Sequence, residues 1–295
     1  MAIENHFEYV KAKNLDEVFG VFQHYKNPVI LAGGTDLVEF LKNGAIHPDV
    51  VIDIKGLDYL KDIRLGNNIL WIGAGVTFNE LIESEIINEH FPVIAEMSKT
   101  VASVGIRNRA TMVGNICSAV PCTDSGPVLS VYKANVITAG SMGERKIPIE
   151  QWFVASRKTA LAKNEIVKGI SIQLPDKKHA GCFVKLKRYN GEDLAQVNLA
   201  ILAFDDYSFR ISFGAVAPTP VRAMRIERLI NRMKLVPELM EKARQLVEDD
   251  IAPITDIRAT KEYRMHMAKV MLERGLTAVI ERLNGGGPAY GKSVI

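Results

Sequence analysis

The stretch ILAGGTDLVEF, residues 30–40, sets an apolar run, two adjacent glycines, a threonine, an aspartate and a second apolar run into eleven positions. Residues 29–32 suit a buried strand, and residues 37–42 suit a helix that stops at Gly44, so the glycines mark a strand-to-helix turn. Two readings of Gly33 and Gly34 stand at this point. In one, the bare backbone lets a phosphate approach the N–H groups at the start of the helix. In the other, glycine supplies a tight connection with positive φ. Asp36 suits an N-cap or a ribose hydroxyl better than a phosphate, because like charges repel.

Upstream, Asn14 followed by Glu17 reads as a capping box, and Leu15, Val18, Phe19 and Phe22 recur on one helical face. Downstream, DVVIDI at 49–54 reads as a second buried strand. The order helix, strand, turn, helix, strand predicts a right-handed crossover between parallel strands. A further unit opens at NILWIGAG (68–75), followed by a Thr77/Glu80 capping box and a helix through Ile87.

At 295 residues the chain exceeds one ordinary core and predicts two domains. Apolar residues make up 47% and charged residues 24%, enough for a sizeable core. A net charge of +3, with basic and acidic residues interspersed, argues against nucleic acid as a partner. No apolar leader follows the first residues and no window of roughly 18 uncharged apolar residues occurs, so a soluble cytoplasmic protein without membrane contact is expected. The three cysteines, Cys117, Cys122 and Cys182, are too few for a four-cysteine cluster and are read as buried or half-buried free thiols, with no metal site.

Two nucleotide motifs fail. Gly33-Gly34-Thr35-Asp36 lacks the spacing and third glycine of G-x-G-x-x-G. GGPAYGKS at 286–293 spells a Walker A string, but only two residues follow it, where a phosphate loop needs a strand before and a helix behind. It is read as an accident in a flexible tail, 285–295. A different stretch, GIRNRATMVGNICSAVPCTDSGPVLSVYKANV (105–136), carries no apolar period in its first half. It reads as a long loop whose small residues and hydroxyls favour a ligand, with a helix starting near Asp124. In the last third, CFVKLKRY (182–189) and the runs 196–204 and 209–217 are strand-like. Three helical segments fill 220–283, the last long and amphipathic.

ILAGGTD, IRNRATMVGNICSAVPCTDSGPVL, EIVKGISIQLP and FGAVAPTPVRA stand in the order and approximate spacing of one family. From its first helix to about residue 284, the chain resembles the FAD-binding subunit of the molybdenum hydroxylases, and within them the xanthine dehydrogenase branch. The resemblance implies an α+β chain: a two-part α/β FAD-binding domain of the PCMH type (1–177, with parts 1–56 and 57–177), then an α+β domain with a small antiparallel sheet and helices (178–284). It implies that Ile30, Leu31, Ala32, Gly33, Gly34, Thr35 and Asp36 wrap the FAD pyrophosphate. Thr111, Gly114, Asn115, Ser118, Thr123 and Asp124, with Ala110 beside them, add hydrogen bonds. Val101, Ala102 and Ile106 line the flavin, Ile166 and Val167 lie against its ring, and Lys185 is a candidate flavin-tuning cation.

One position departs from the pattern. Val113 stands where the family usually has the first glycine of Thr-x-Gly-Gly-Asn, and valine resists positive φ, so either that glycine is dispensable or the loop takes another path. The resemblance also implies partners: a molybdopterin-binding large subunit, a 2Fe-2S small subunit that relays electrons, and NAD or another acceptor for the reduced FAD. Two other readings share the fold, a stand-alone flavin oxidoreductase and a flavin-free assembly subunit. No clustered acid/base pair among the six histidines supports the former.

Overall fold

The computed structural model describes residues 3, 5–189 and 191–295. In the first lobe, β1 (Glu8–Lys11), α1 (Leu15–His24), β2 (Pro28–Leu31), α2 (Leu37–Lys42) and β3 (Val50–Asp53) build a parallel sheet of order β1-β3-β2. β3 is central and all four of its residues are buried, as the apolar run dictates. Asn14 caps α1 by accepting the Glu17 amide, and Val18 and Phe22 enter the core shared with Val50 and Ile52. Glu17 accepts the Lys13 amide instead of the Asn14 amide, so half of the expected capping box forms.

The second lobe begins with the hairpin β4 (Ile63–Gly66) and β5 (Ile69–Gly73), then runs through α3 (Phe78–Glu83), α4 (Glu85–His90), α5 (Pro92–Lys99), α6 (Val104–Arg107), α7 (Met112–Ser118) and α8 (Ser125–Val131). It continues with β6 (Asn135–Gly140), β7 (Gly143–Pro148), α9 (Ile149–Trp152), the small hairpin β8 (Phe153–Ala155) and β9 (Lys158–Thr159), and β10 (Glu165–Gln173). The sheet is antiparallel, ordered β4-β5-β10-β6-β7.

Both bonds of the Thr77/Glu80 box are present, Thr77 N–H to Glu80 Oε2 at 2.7 Å and Glu80 N–H to Thr77 Oγ1 at 3.3 Å. The helix it starts ends at Glu83, because Ser84 leaves the helical conformation and caps a new one. Residues 105–136 are a correction of larger scale. The expected long loop holds α6 and α7, pieces of one or two turns too short for an apolar period to register, and the helix expected near Asp124 is present as α8. Ser103 and Thr111 start α6 and α7, accepting the amides of Ile106 at 3.4 Å and Gly114 at 2.9 Å.

The remaining sheet, β11 (His179–Leu186), β12 (Val197–Phe204), β13 (Phe209–Gly214) and β14 (Val221–Arg222), is antiparallel in chain order. It carries α10 (Met224–Ile230), α11 (Pro237–Gln245), α12 (Val247–Asp250) and α13 (Lys261–Leu283). Every residue of β12 is buried. Ala200, Leu202 and Phe204 belong to the core of the two N-terminal lobes, whereas Leu199, Ile201 and Ala203 belong to the core beneath α13. A strand covered on both faces needs no polar alternation, which is why VNLAILAF reads as one apolar run.

The last residues are docked, contrary to the flexible tail expected over 285–295. The Arg282 guanidinium lies 4.1 Å from the centre of the Tyr290 ring, the Tyr290 hydroxyl accepts the Gly181 amide at 3.2 Å, and the Gly291 amide reaches Glu96 at 3.0 Å. An apolar ring and satisfied backbone groups hold the segment in place. The Walker-like string follows a helix, not the strand a phosphate loop needs. Among the described residues, no helix is long and apolar enough to cross a membrane.

Candidate cofactor-binding site

Gly33 and Gly34 are both required, for different reasons. Gly34 has φ of +79°, a conformation that side chains disfavour. A Cβ on Gly33 would lie 2.0 Å from the carbonyl oxygen of Arg109, so the backbone of the 30–36 turn rests directly on the backbone at 109–110. The turn is thus fastened to the second glycine-bearing segment, whose Ala110 carbonyl in turn accepts the Phe78 amide at 3.0 Å. Asp36 does not cap α2: its backbone is helical and its carboxylate accepts the Ser118 hydroxyl instead. That bond joins the same two segments a second time.

Val113 lies in the first turn of α7, in right-handed helical conformation, and is buried. The concern over positive φ at this position therefore does not arise, and the sequence departure costs the backbone nothing. Left-handed residues do flank the segment, Ala102 at φ +37° and Ala119 at φ +45°. Such backbone strain, about 1–3 kcal/mol per residue, persists where the surroundings over-determine it. At Ala102 the cause is visible: the Arg107 guanidinium takes the carbonyls of Val101 and Ala102 at 2.7 and 2.9 Å.

Asn115, Thr123 and Asp124 form the inner side of this segment. The Asn115 side-chain oxygen accepts the Thr123 hydroxyl at 2.7 Å and the Ser125 amide at 3.2 Å. Asp124 accepts the Lys185 ammonium at 2.6 Å on one oxygen and the Asn198 amide at 2.9 Å on the other. Lys185 also donates to the Thr100 carbonyl at 3.2 Å, and its side chain is 3% exposed. It is neither a solvated strand lysine nor a free cation; burial requires the partners it has. Asn198, hidden in the apolar β12, was missed by sequence reasoning, and its lone polar character in VNLAILAF was the available signal.

A cavity of about 710 Å³ opens between the first lobe and the second sheet. Of the expected residues it gathers Ile30, Ala32, Gly114, Ile166 and Val167. Leu31, Gly33, Gly34, Thr35 and Asp36, Val101, Ala102 and Ile106, Ala110, Thr111, Asn115 and Ser118, and Thr123, Asp124 and Lys185 lie outside its lining. Sequence reasoning missed Phe22, Ile54, Val113 and Cys117 in its walls, and Lys26, His47 and Lys163 at its exposed rim. Burial pushes the Cys117 thiol up to about 12, so this group is neutral and contributes only apolar surface. Among the described residues no three His, Cys, Asp or Glu side chains come together as a metal site.

The volume lies within the range of about 300–1,000 Å³ usual for cofactor pockets. Apolar walls, backbone-only turns and a cationic rim suit a planar ring system joined to phosphates. A parallel lobe and an antiparallel lobe enclose this cavity, with a sheet-and-helix domain beyond, and the family matches identify the class as a flavin-carrying subunit. The chain belongs to the family of FAD-binding subunits of the molybdenum hydroxylases. Residues 5–176 match the "FAD binding domain in molybdopterin dehydrogenase", and residues 181–279 match the "CO dehydrogenase flavoprotein C-terminal domain".

Similar proteins include the xanthine dehydrogenase FAD-binding subunit of Escherichia coli O157:H7, 28% identical over 94% of this chain and 97% of that one. The glyceraldehyde dehydrogenase medium chain of Sulfolobus acidocaldarius is 28% identical over 92% and 98%. Among solved structures, the carbon monoxide dehydrogenase of Hydrogenophaga pseudoflava superposes with a TM-score of 0.91 at 28% identity, covering 96% of this chain and 99% of the matched chain.

Proposed function

We propose that this chain is the electron-exit subunit of its complex, taking electrons from an iron–sulfur partner and passing them to NAD or another acceptor. The molybdenum-bearing partner then oxidises a purine or a related N-heterocycle. FAD supplies the ability to collect electrons singly and release them as a pair. This chain's own part is to bind, orient and shield.

In this reading the 30–36 turn offers backbone N–H groups to the pyrophosphate, and Thr111, Gly114, Asn115 and Ser118 complete its cradle. Ile166 and Val167 lie against the ring system, and Val101, Ala102 and Ile106 bound it. Lys185 and Asp124 hold one another, so they act through the position of the 100–102 and 123–125 backbones. The observation that carries the reading is the contact of Gly33 with Arg109–Ala110: it seats the two turns against each other, and Ala32 and Gly114, one from each, both line the cavity.

The heterocycle is favoured by the similarity to the xanthine dehydrogenase subunit. The equal identity to the glyceraldehyde dehydrogenase chain supports a division of labour in which the partner, and not these residues, selects the substrate. The test is reconstitution of the native complex with FAD. NADH formation on xanthine, with no turnover by the chain alone, is expected. A chain that stays colourless when FAD is added refutes the reading.

A further inference from the structure

Residues 161–167 form one continuous wall of the cavity, yet residues 160–164 belong to neither helix nor strand and Asn164 has φ of +64°. An irregular segment in that place needs something to hold it. The Glu165 carboxylate accepts Arg145 Nε at 2.6 Å and Arg145 Nη2 at 2.5 Å, a bidentate pair. The same Nη2 donates to the Ala160 carbonyl at 3.1 Å, and the same carboxylate accepts the Ala162 amide at 3.0 Å. Two side chains therefore fasten both ends of the turn.

Arg145 stands on β7 and Glu165 on β10, with β6 between them, so the carboxylate has to pass over a strand. Gly140, paired with Glu165 in the β6–β10 ladder, leaves the room: a Cβ there would sit 3.3 Å from Glu165 Cγ. Arg145 is 47% exposed and Glu165 11% exposed. A pair this open contributes little to global stability, so its value lies in local order.

We propose that Arg145 and Glu165 are positioning residues for the cofactor, pre-forming the 160–167 wall so that FAD does not have to order it on binding. The proposal rests on the reading that this cavity holds FAD. Pre-formed sites bind more tightly because the ordering cost is met during folding.

The experiment is an FAD titration of the full flavin-stripped chain, followed by flavin fluorescence and by the position of the visible bands. Glu165→Ala and Arg145→Ala each weaken FAD on the order of tenfold, while the thermal midpoint of the flavin-free chain moves by less than about 2 °C. Glu165→Gln keeps an acceptor for the Ala162 amide and recovers part of the affinity. The double variant is no weaker than either single, since both remove one pair. Val113→Trp, which fills the cavity, serves as the control. Lost affinity in Val113→Trp beside parental affinity in Glu165→Ala overturns the positioning role and leaves the cavity assignment intact. Parental affinity in all variants overturns both. A flavin-free midpoint that falls in step with affinity assigns the pair a purely structural role and also overturns the proposal.

Discussion

Replacing Glu96 by alanine tests how the two domains are held together. The Glu96 carboxylate, 3% exposed on its side chain, accepts Arg282 Nη2 at 2.8 Å and Nη1 at 3.2 Å, the Phe183 amide at 2.7 Å and the Gly291 amide at 3.0 Å. Its removal leaves the Arg282 guanidinium, 4% exposed, without its counter-ion, though still bonded to the Gly181 carbonyl at 2.6 Å. Breaking a buried pair from one side costs about 3–5 kcal/mol. An unfolding entropy of roughly 2.1 cal/mol/K per residue gives about 0.6 kcal/mol/K for this chain, so the midpoint falls by about 5–8 °C. Scanning calorimetry on the FAD-loaded chain reads this directly. The mechanism is the uncompensated charge, so Glu96→Met combined with Arg282→Met recovers more than half of the loss. A drop below about 2 °C in Glu96→Ala, or a double variant as unstable as the single, refutes the reasoning.

Four further outcomes follow from contacts already described. Gly33→Ala, which sets a Cβ 2.0 Å from the Arg109 carbonyl, forces the turns apart at a cost of about 1–3 kcal/mol and weakens FAD in a fluorescence titration. Val113→Gly, which installs the family's usual residue, lowers stability by about 2 kcal/mol in urea unfolding, because a buried side chain is lost from a helix that needs no positive φ. Lys185→Met leaves Asp124 with Asn198 as its remaining side-chain partner and costs about 3 kcal/mol, read by the same unfolding. Burial, reinforced by Glu96, raises the Cys182 thiol from an ordinary value of 9.0 to about 12. The folded chain then holds a proton that the unfolded chain loses, so this contribution is complete below pH 9 and disappears as pH rises to about 12. Alkylation of Cys182 in the native chain accordingly stays slow while climbing about tenfold per unit past pH 9, and a rate that levels off near pH 9 contradicts the burial.

The parts of the fold legible in sequence are those where one physical signal dominates. The Thr77/Glu80 box, the buried run of β3 and the two-sided run of β12 each announce themselves through a pattern that tertiary context does not overrule. β1 could not be found that way: EYVK is mostly exposed and is a strand because β3 offers it a partner. α6 and α7 were hidden because a helix of one or two turns shows a cap before it shows a period. At the site, residue identity marked the turns, since only glycine fits at 33 and 34. The rest of the walls was illegible, because Phe22, Ile54 and Cys117 come from segments whose meeting is fixed by packing and by no local pattern. The Lys185–Asp124 pair shows the same limit: two charged residues 61 positions apart carry no sign of one another until folding brings the start of α8 within reach of β11.

The docking of the tail on Glu96 also has a consequence for how the protein is made. Glu96 is synthesised before Arg282 and Gly291, at a sequence separation of 186 and 195 residues. During translation the carboxylate therefore lacks its counter-ion, and the part of the α5 face that the 282–291 segment covers stays unsealed, until those residues have left the ribosome. Ribosome-stalled chains in which residues 282–291 have not emerged should accordingly be cut near α5 by a protease that spares the finished protein, and a linker that carries residue 291 clear of the ribosome should abolish the cut.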